Sequence, residues 1–158
     1  AVDRAKAAYN SGNYDAAVEG YTAALKVKSG DARLYYNRGL AYFKDNKDLD
    51  AVADFSKALE LAPQFILAHL NRGRTYLRLS RFEDSLQDFT KAIELKGDDH
   101  FFWYCRAAAY ANLNKKDAAI SDLNQALALN PTDVPSYMAR ADIFFSLHKL
   151  AEAGADYR

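Results

Sequence analysis

The side chains of this chain that could carry acid–base, nucleophilic or metal chemistry are few: three histidines, one cysteine and a scatter of carboxylates. His69, His100 and His148 stand far apart, and no two share the close spacing that lets helical ligands converge on a metal ion. Cys105 has no second cysteine to form a CxxC pair or a disulfide within the chain. No neighbouring histidine or base suggests that it is held as a thiolate, so an unreactive thiol is expected. "GDDH" at 97–100 sets two carboxylates beside a histidine, but it precedes the apolar run "FFWY" and reads as a turn followed by a helix cap. The glycines form no phosphate-cradling loop. The expectation is therefore no enzyme, no catalytic residue, no metal and no cofactor.

The remaining chemistry lies in the arginines. "LYYNRGLAYF" at 34–43 places Arg38 inside an apolar and aromatic stretch, and Arg72, Arg106 and Arg140 follow at intervals of 34 residues. A guanidinium is a rigid fork of donors that suits carboxylates, either those of a ligand or those of the fold itself. A matching acidic column, Asp54, Asp88, Asp122 and Asp156, favours the second reading. Arg38 stands one residue before Gly39 and four before Tyr42, and Asp54 stands three after Ala51 and four before Ala58. Both thus lie near the packing faces of their helices. Structural ion pairs between the column Arg38, Arg72, Arg106 and Arg140 and the column Asp54, Asp88, Asp122 and Asp156 are expected, adding register more than stability because desolvation offsets much of the attraction. The first repeat breaks the pattern, with Arg4 in the arginine column and Gly20 in the aspartate column. Spacing leaves open whether an arginine meets the aspartate of its own repeat or that of the preceding one; pairing within a repeat is slightly favoured.

The elements that position these residues follow from the same interval. Small residues recur at Ala17, Ala51, Ser85, Ala119 and Ala153, bulky ones at Tyr21, Phe55, Phe89, Leu123 and Tyr157, and alanines at Ala24, Ala58, Ala92 and Ala126. Another column reads Tyr42, Tyr76, Tyr110 and Phe144. A period of this length marks a repeat architecture in which neighbouring units bury one another's apolar faces. Each repeat reads as two helices, for example 32–45 and 48–61, separated by "KDNKD". Breaks are expected near Asn13, Asn46, Ser80 and Asn114 within repeats, and near Ser29, Pro63, Gly97 and Pro131 between them. Asp31, Asp99 and Asp133 precede first helices as caps, whereas Phe65 cannot cap, and Pro135 fits a first turn. Gly39, Gly73, Ala107 and Ala141 on first helices are expected to face Ala51, Ser85, Ala119 and Ala153 on second helices.

Composition agrees with helices and excludes other classes. Half of the 158 residues are apolar and 27% are charged, a globular balance, and seven Gly with three Pro are few for a loop-rich or all-β chain. Twenty-one basic and twenty-one acidic residues cancel, which argues against a nucleic-acid binder. No apolar run is long enough for membrane insertion. The lone cysteine fits a reducing compartment and favours a cytoplasmic location.

The 34-residue period, with Gly or Ala, Tyr, Ala, an aromatic, Ala and Pro in this order, resembles the tetratricopeptide repeat family over essentially the whole chain. The resemblance implies an all-α, right-handed superhelical solenoid whose first helices line a concave face. Residues 1–158 then form a single domain, with a partial repeat at 1–31, full repeats at 32–65, 66–99 and 100–133, and a partial repeat at 134–158. No polar capping helix closes the array, so a piece of a longer protein is expected.

First helices carry a second apolar stripe away from the packing face: Tyr36, Leu40 and Phe43; Leu67, Leu70 and Leu77; Phe101 and Tyr104; Met138 and Phe145; with Tyr9 before them. Part of it joins neighbouring first helices, and the rest is a candidate partner surface. Asn37 and Asn71 are interleaved with it. The resemblance implies that such amides hold an extended peptide backbone. Lys6, Arg33, Lys44, Arg74 and Arg78, against Asp3 and Asp142, give the strip a basic lean that suits an acidic segment or a terminal carboxylate. The candidate peptide-binding residues are Tyr36, Asn37, Leu40, Phe43, Lys44, Leu70, Asn71, Arg74, Leu77, Arg78, Phe101, Tyr104 and Met138. Chaperone-binding members of the family clamp an acidic C-terminus with a set of Lys, Asn and Arg of which only Asn37 is matched. Val2, Lys6, Leu67 and Asn71 stand at the other positions, so that clamp is not expected. The function expected is a non-catalytic protein–protein interaction scaffold that takes a peptide or partner helix in its groove. The alternatives are a regulatory or substrate-docking domain of a larger enzyme, and self-association through uncapped ends.

Overall fold

Ten helices and no strand make up the computed structural model, which describes residues 1–158. They are α1 (Val2–Asn10), α2 (Tyr14–Val27), α3 (Ala32–Lys44), α4 (Asp48–Leu61), α5 (Ile66–Arg78), α6 (Phe82–Leu95), α7 (His100–Asn112), α8 (Lys116–Leu129), α9 (Val134–Ser146) and α10 (Leu150–Asp156). Odd-numbered helices are the first helices of successive repeats and even-numbered ones the second. No helix is long and apolar enough to cross a membrane.

The helix ends follow local chemistry. The carboxylates of Asp31, Asp99 and Asp133 accept from backbone N–H groups at the starts of α3, α7 and α9, supplying the acceptor that a free helix N-terminus lacks. Phe65 gives α5 no such bond, and Pro135 occupies the first turn of α9. The turns within repeats share one device, a residue in the left-handed region at Gly12, Asn46, Ser80, Asn114 and His148 (φ +80°, 59°, 56°, 57° and 58°). The first break spans residues 11–13, near Asn13 as expected, and the Asn13 side chain caps α2 by accepting from Ala16 N at 3.2 Å.

The helices form two compact units, residues Ala1–Ser80 with α1 to α5 and Arg81–Arg158 with α6 to α10. In the first, Ala17, Tyr21, Ala24 and Leu25 of α2 pack with Ala5, Leu34 and Ala41, and Ala51 and Phe55 of α4 pack with Phe43. In the second, Ala107, Ala119, Leu123 and Ile143 form a core against Tyr104 and Tyr110. Phe55 and Phe89 are wholly buried; each contributes about 1.5–3 kcal/mol relative to an exposed ring.

Close helix approach rests on small residues. A Cβ on Gly39 would lie 2.9 Å from Phe55 Cε1 and 3.3 Å from Asp54 Cβ. The nearest neighbours of Gly39 are thus Asp54 and Phe55, one turn after Ala51. In the first repeat both helices carry a small residue at the contact: a Cβ on Gly20 would lie 2.7 Å from Ala5 Cβ. With glycine in the aspartate column Arg4 lacks the partner its counterparts have, and it is exposed.

Candidate functional site

Three arginines have the expected partners, in their own repeats. Arg38 donates from Nε and Nη2 to the carboxylate of Asp54 at 2.7 and 2.8 Å. Arg106 does the same to Asp122 at 2.8 and 2.9 Å, and Arg140 to Asp156 at 2.7 Å for both bonds. The aspartates are at most 8% exposed at the side chain. Each arginine is also set against aromatic rings, Arg38 at 5.7 and 5.9 Å from the ring centres of Tyr35 and Tyr42, and Arg106 at 5.1 and 5.6 Å from those of Trp103 and Tyr110. The paired carboxylate, by hydrogen bond first, holds all three guanidinium groups above their ordinary pKa, so they stay charged. Arg72 and Asp88 belong to different units, and the pairing expected of them lies within neither.

A further bond of each arginine escaped the sequence reading. Nη1 of Arg38 donates to Thr22 Oγ1 at 3.0 Å, that of Arg72 to Ser56 Oγ at 3.0 Å, that of Arg106 to Thr90 Oγ1 at 3.4 Å and that of Arg140 to Asn124 Oδ1 at 2.6 Å. The acceptor always stands 16 residues earlier, on the second helix of the preceding repeat. Where the aspartate pair is present, one guanidinium thus fastens its own repeat and the one before it, so the ladder belongs to the fold. A column of short polar residues at the 34-residue interval was the available signal. His69, Trp103 and Tyr137, which share one column at the 34-residue interval, tether the loops between repeats. His69 Nε2 lies 2.9 Å from Pro63 O, Trp103 Nε1 donates to Gly97 O at 2.9 Å and Tyr137 Oη to Pro131 O at 3.1 Å. A carbonyl only accepts, so Nε2 of His69 carries the proton.

In the first unit the groove residues divide into two groups. Asn37 and Leu40 join Lys6, Tyr9, Asn10 and Tyr21 around a hollow of about 180 Å³. Lys44 is exposed, and neither it nor Lys6 nor Arg33 takes part in an ion pair of this unit. The other group is used by the fold. Phe43, Leu70 and Asn71 are 8%, 6% and 6% exposed, which corrects the expectation of an open strip there. Nδ2 of Asn71 donates to Tyr36 Oη and to Leu67 O, each at 3.0 Å. Arg74 donates to Asn71 Oδ1 at 3.2 Å and lies 5.3 Å from the Phe43 ring centre. Arg78 lies 3.7 Å from that centre, donates to Phe43 O at 2.7 Å and pairs with Asp48. The reason is the approach of α3 to α5: side chains at these positions meet a neighbouring first helix before they can meet a ligand. Burial raises the pKa of the Tyr36 hydroxyl, partly offset by the bond from Asn71. Leu77 is half-buried. A hollow of about 1060 Å³ is a trough lined by the two loops and the first turn of α3, from Lys28 to Arg33 and from Ala62 to Phe65; of the residues expected in the groove it includes only Arg33.

In the second unit Phe101 and Tyr104 are half-buried and stack at 6.2 Å, while Met138 and Phe145 are 45% and 61% exposed. Burial raises the pKa of Tyr104. A hollow of about 270 Å³ opens between α7 and α9, lined by Tyr104, Ala107, Ala108, Ala111, Asn112, Leu123, Ala139, Asp142 and Ile143. Cys105 is buried. The His100 ring lies between two capping carboxylates, with Nδ1 3.9 Å from Asp99 and Nε2 3.6 Å from Asp133. No group of three or more His, Cys, Asp or Glu side chains is placed to hold a metal ion.

Helical hairpins at a fixed interval, small residues at each close approach and a repeated loop tether point to one family, and its pattern matches residues 2–66, 50–100 and 101–133 as tetratricopeptide repeats. The chain belongs to the tetratricopeptide repeat family. Among solved structures, MamA from Desulfovibrio magneticus RS-1 is 17% identical with a TM-score of 0.93, covering 97% of this chain and 86% of that one. A tetratricopeptide repeat protein from Parabacteroides merdae is 24% identical with a TM-score of 0.84, covering 98% and 60%. The first such domain of Spaghetti (RPAP3), bound to the HSP90 peptide SRMEEVD, is 26% identical with a TM-score of 0.72, covering 74% and 93%. Among curated proteins, the SGT1 homolog of Oryza sativa subsp. japonica is 40% identical over 60 residues, which are 38% of this chain and 16% of that protein. The resemblance to MamA and to the Parabacteroides protein concerns the fold alone.

Proposed function

We propose that this chain is a non-catalytic interaction module whose first unit holds an extended acidic peptide along α1 and α3. The observation that carries the reading is the hollow lined by Lys6, Tyr9, Asn10, Tyr21, Asn37 and Leu40. It combines an ammonium group outside any ion pair, two amides able to donate to and accept from a peptide backbone, and apolar walls. Lys44 and Arg33 extend the positive field, and residues 1–80 hold twelve Lys and Arg against nine Asp and Glu. The likeness to a domain bound to SRMEEVD, which carries three carboxylate side chains, supports the ligand class. It does not extend to the clamp, because Val2, Lys6, Leu67 and Asn71 differ from the clamp residues.

The test uses labelled SRMEEVD and its analogue without carboxylate side chains, SRMQQVN, as probes of the full chain. The acidic peptide should bind more tightly and lose affinity as salt rises. Lys6→Glu with Lys44→Glu should weaken it roughly five- to thirty-fold with an unchanged helical spectrum, about 0.5–1 kcal/mol for each of the two exposed charge pairs lost. Equal binding of both peptides, or full binding by the double variant, would refute the reading.

A further inference from the structure

We infer that the second unit carries a separate pocket, between α7 and α9, for a bulky apolar side chain with a cationic side chain next to it, both supplied by a partner peptide. The inference comes from comparing one place in the fold with its counterpart two repeats on. Between α3 and α5, the Phe43 ring fills the space beside Leu40 and is 8% exposed. The guanidinium groups of Arg74 and Arg78 lie 5.3 and 3.7 Å from its centre. In the second unit the equivalent residues are Ala111 for Phe43, Ala108 for Leu40 and Ala139 for Asn71. Asp142 replaces Arg74, and Ser146 replaces Arg78. The ring and both cations are therefore missing, and a hollow of about 270 Å³ takes their place, walled by Tyr104 and floored by the buried Leu123.

Its chemistry selects the occupant. The walls are alanine methyls, an aromatic ring, a leucine and an isoleucine, and the Asn112 amide at their edge already donates to Ala108 O at 2.8 Å, so a buried apolar group gains contact at little polar cost. Asp142, which accepts a hydrogen bond from Tyr157 Oη at 2.5 Å, is the only charged residue lining the hollow, and it is exposed. Residues 81–158 hold nine Lys and Arg against twelve Asp and Glu, so the field here is opposite to that of the first unit. An acidic segment would be repelled, and a phenylalanine or leucine followed by an arginine or lysine fits. The first unit already shows this arrangement with its own residues: a ring held under guanidinium groups.

The experiment follows alanine methyl signals of the full chain by NMR, with the blocked peptide Gly-Ser-Phe-Arg-Ser-Gly as probe. Two comparison peptides replace its Phe by Ala or its Arg by Glu. The methyls of Ala108, Ala111 and Ala139 should shift saturably with the first peptide and stay still with the Ala peptide. The Glu peptide should bind more weakly by roughly two- to five-fold, the size of an exposed charge pair. Ala111→Phe, which restores the residue found at Phe43 and Phe145, should abolish the shifts of Ala108 and Ala139. Should that variant lose its helical spectrum, Asp142→Asn decides, because it must erase the preference for Arg over Glu. Equal response to the Ala peptide, an unchanged preference in Asp142→Asn, or shifts confined to Ala41 and the first unit would overturn the proposal. Methyl shifts that follow protein concentration without peptide would also overturn it, by assigning the pocket to a second copy of the chain.

Discussion

Removing the Asp54 carboxylate is the sharpest perturbation of the arginine ladder. Asp54→Ala strips Arg38 of bonds of 2.7 and 2.8 Å and leaves the one to Thr22 at 3.0 Å. A hydrogen bond to a charged group nets roughly 1.5–3 kcal/mol. The Arg38 side chain is 18% exposed, so water replaces part of one bond. The expected loss is about 3 kcal/mol, at the lower edge of the range for breaking a buried pair. Arg38→Met should cost about as much, because it strands a carboxylate only 8% exposed. Arg38→Met combined with Asp54→Leu leaves no unpaired charge and should cost clearly less than the sum of the singles. The assay is urea unfolding followed by far-UV circular dichroism. The slope must be compared between variants, since repeat proteins can lose cooperativity. A loss below about 0.5 kcal/mol for Asp54→Ala would place the pair among weak surface bridges. Singles that add to the double would show that the two residues do not act together.

Other perturbations test the packing and the turns. Gly39→Ala should destabilise by about 1–2 kcal/mol in the same assay, since overpacking against the buried Phe55 ring outweighs the roughly 1 kcal/mol gained in helix propensity; a gain in stability would show that the ring yields. His148→Gly should stabilise by about 1 kcal/mol, because His148 sits at φ +58° where glycine has no steric cost, and an unchanged melting temperature would count against it. The raised pKa of Tyr36 makes its contribution complete below the ordinary tyrosine value of 10.0 and lost as pH rises through the raised value. Alkaline unfolding should therefore be shallower in Tyr36→Phe than in the parent chain, and identical pH profiles would contradict the burial of this hydroxyl.

The sequence by itself determined the repeat, because a period of 34 residues is a statement about which residues are equivalent, and equivalence needs no coordinates. It determined the caps at Asp31, Asp99 and Asp133 and the arginine–aspartate pairs for the same reason: capping is local, and two charged columns in a packing face must neutralise one another. It could not choose between pairing within and across repeats, since the aspartate column stands nearly midway between successive arginines. Only the tertiary structure showed that the guanidinium does both tasks, with the carboxylate ahead and a hydroxyl or amide behind. The groove residues were less legible still. Phe43, Asn71, Arg74 and Arg78 have the types and spacing of a ligand-binding strip, yet they are turned to the neighbouring helix and to one another. Spacing gives the face of a helix on which a residue lies. Whether that face meets solvent or another helix depends on how closely two elements distant in sequence approach, and that distance is set by packing across the whole fold.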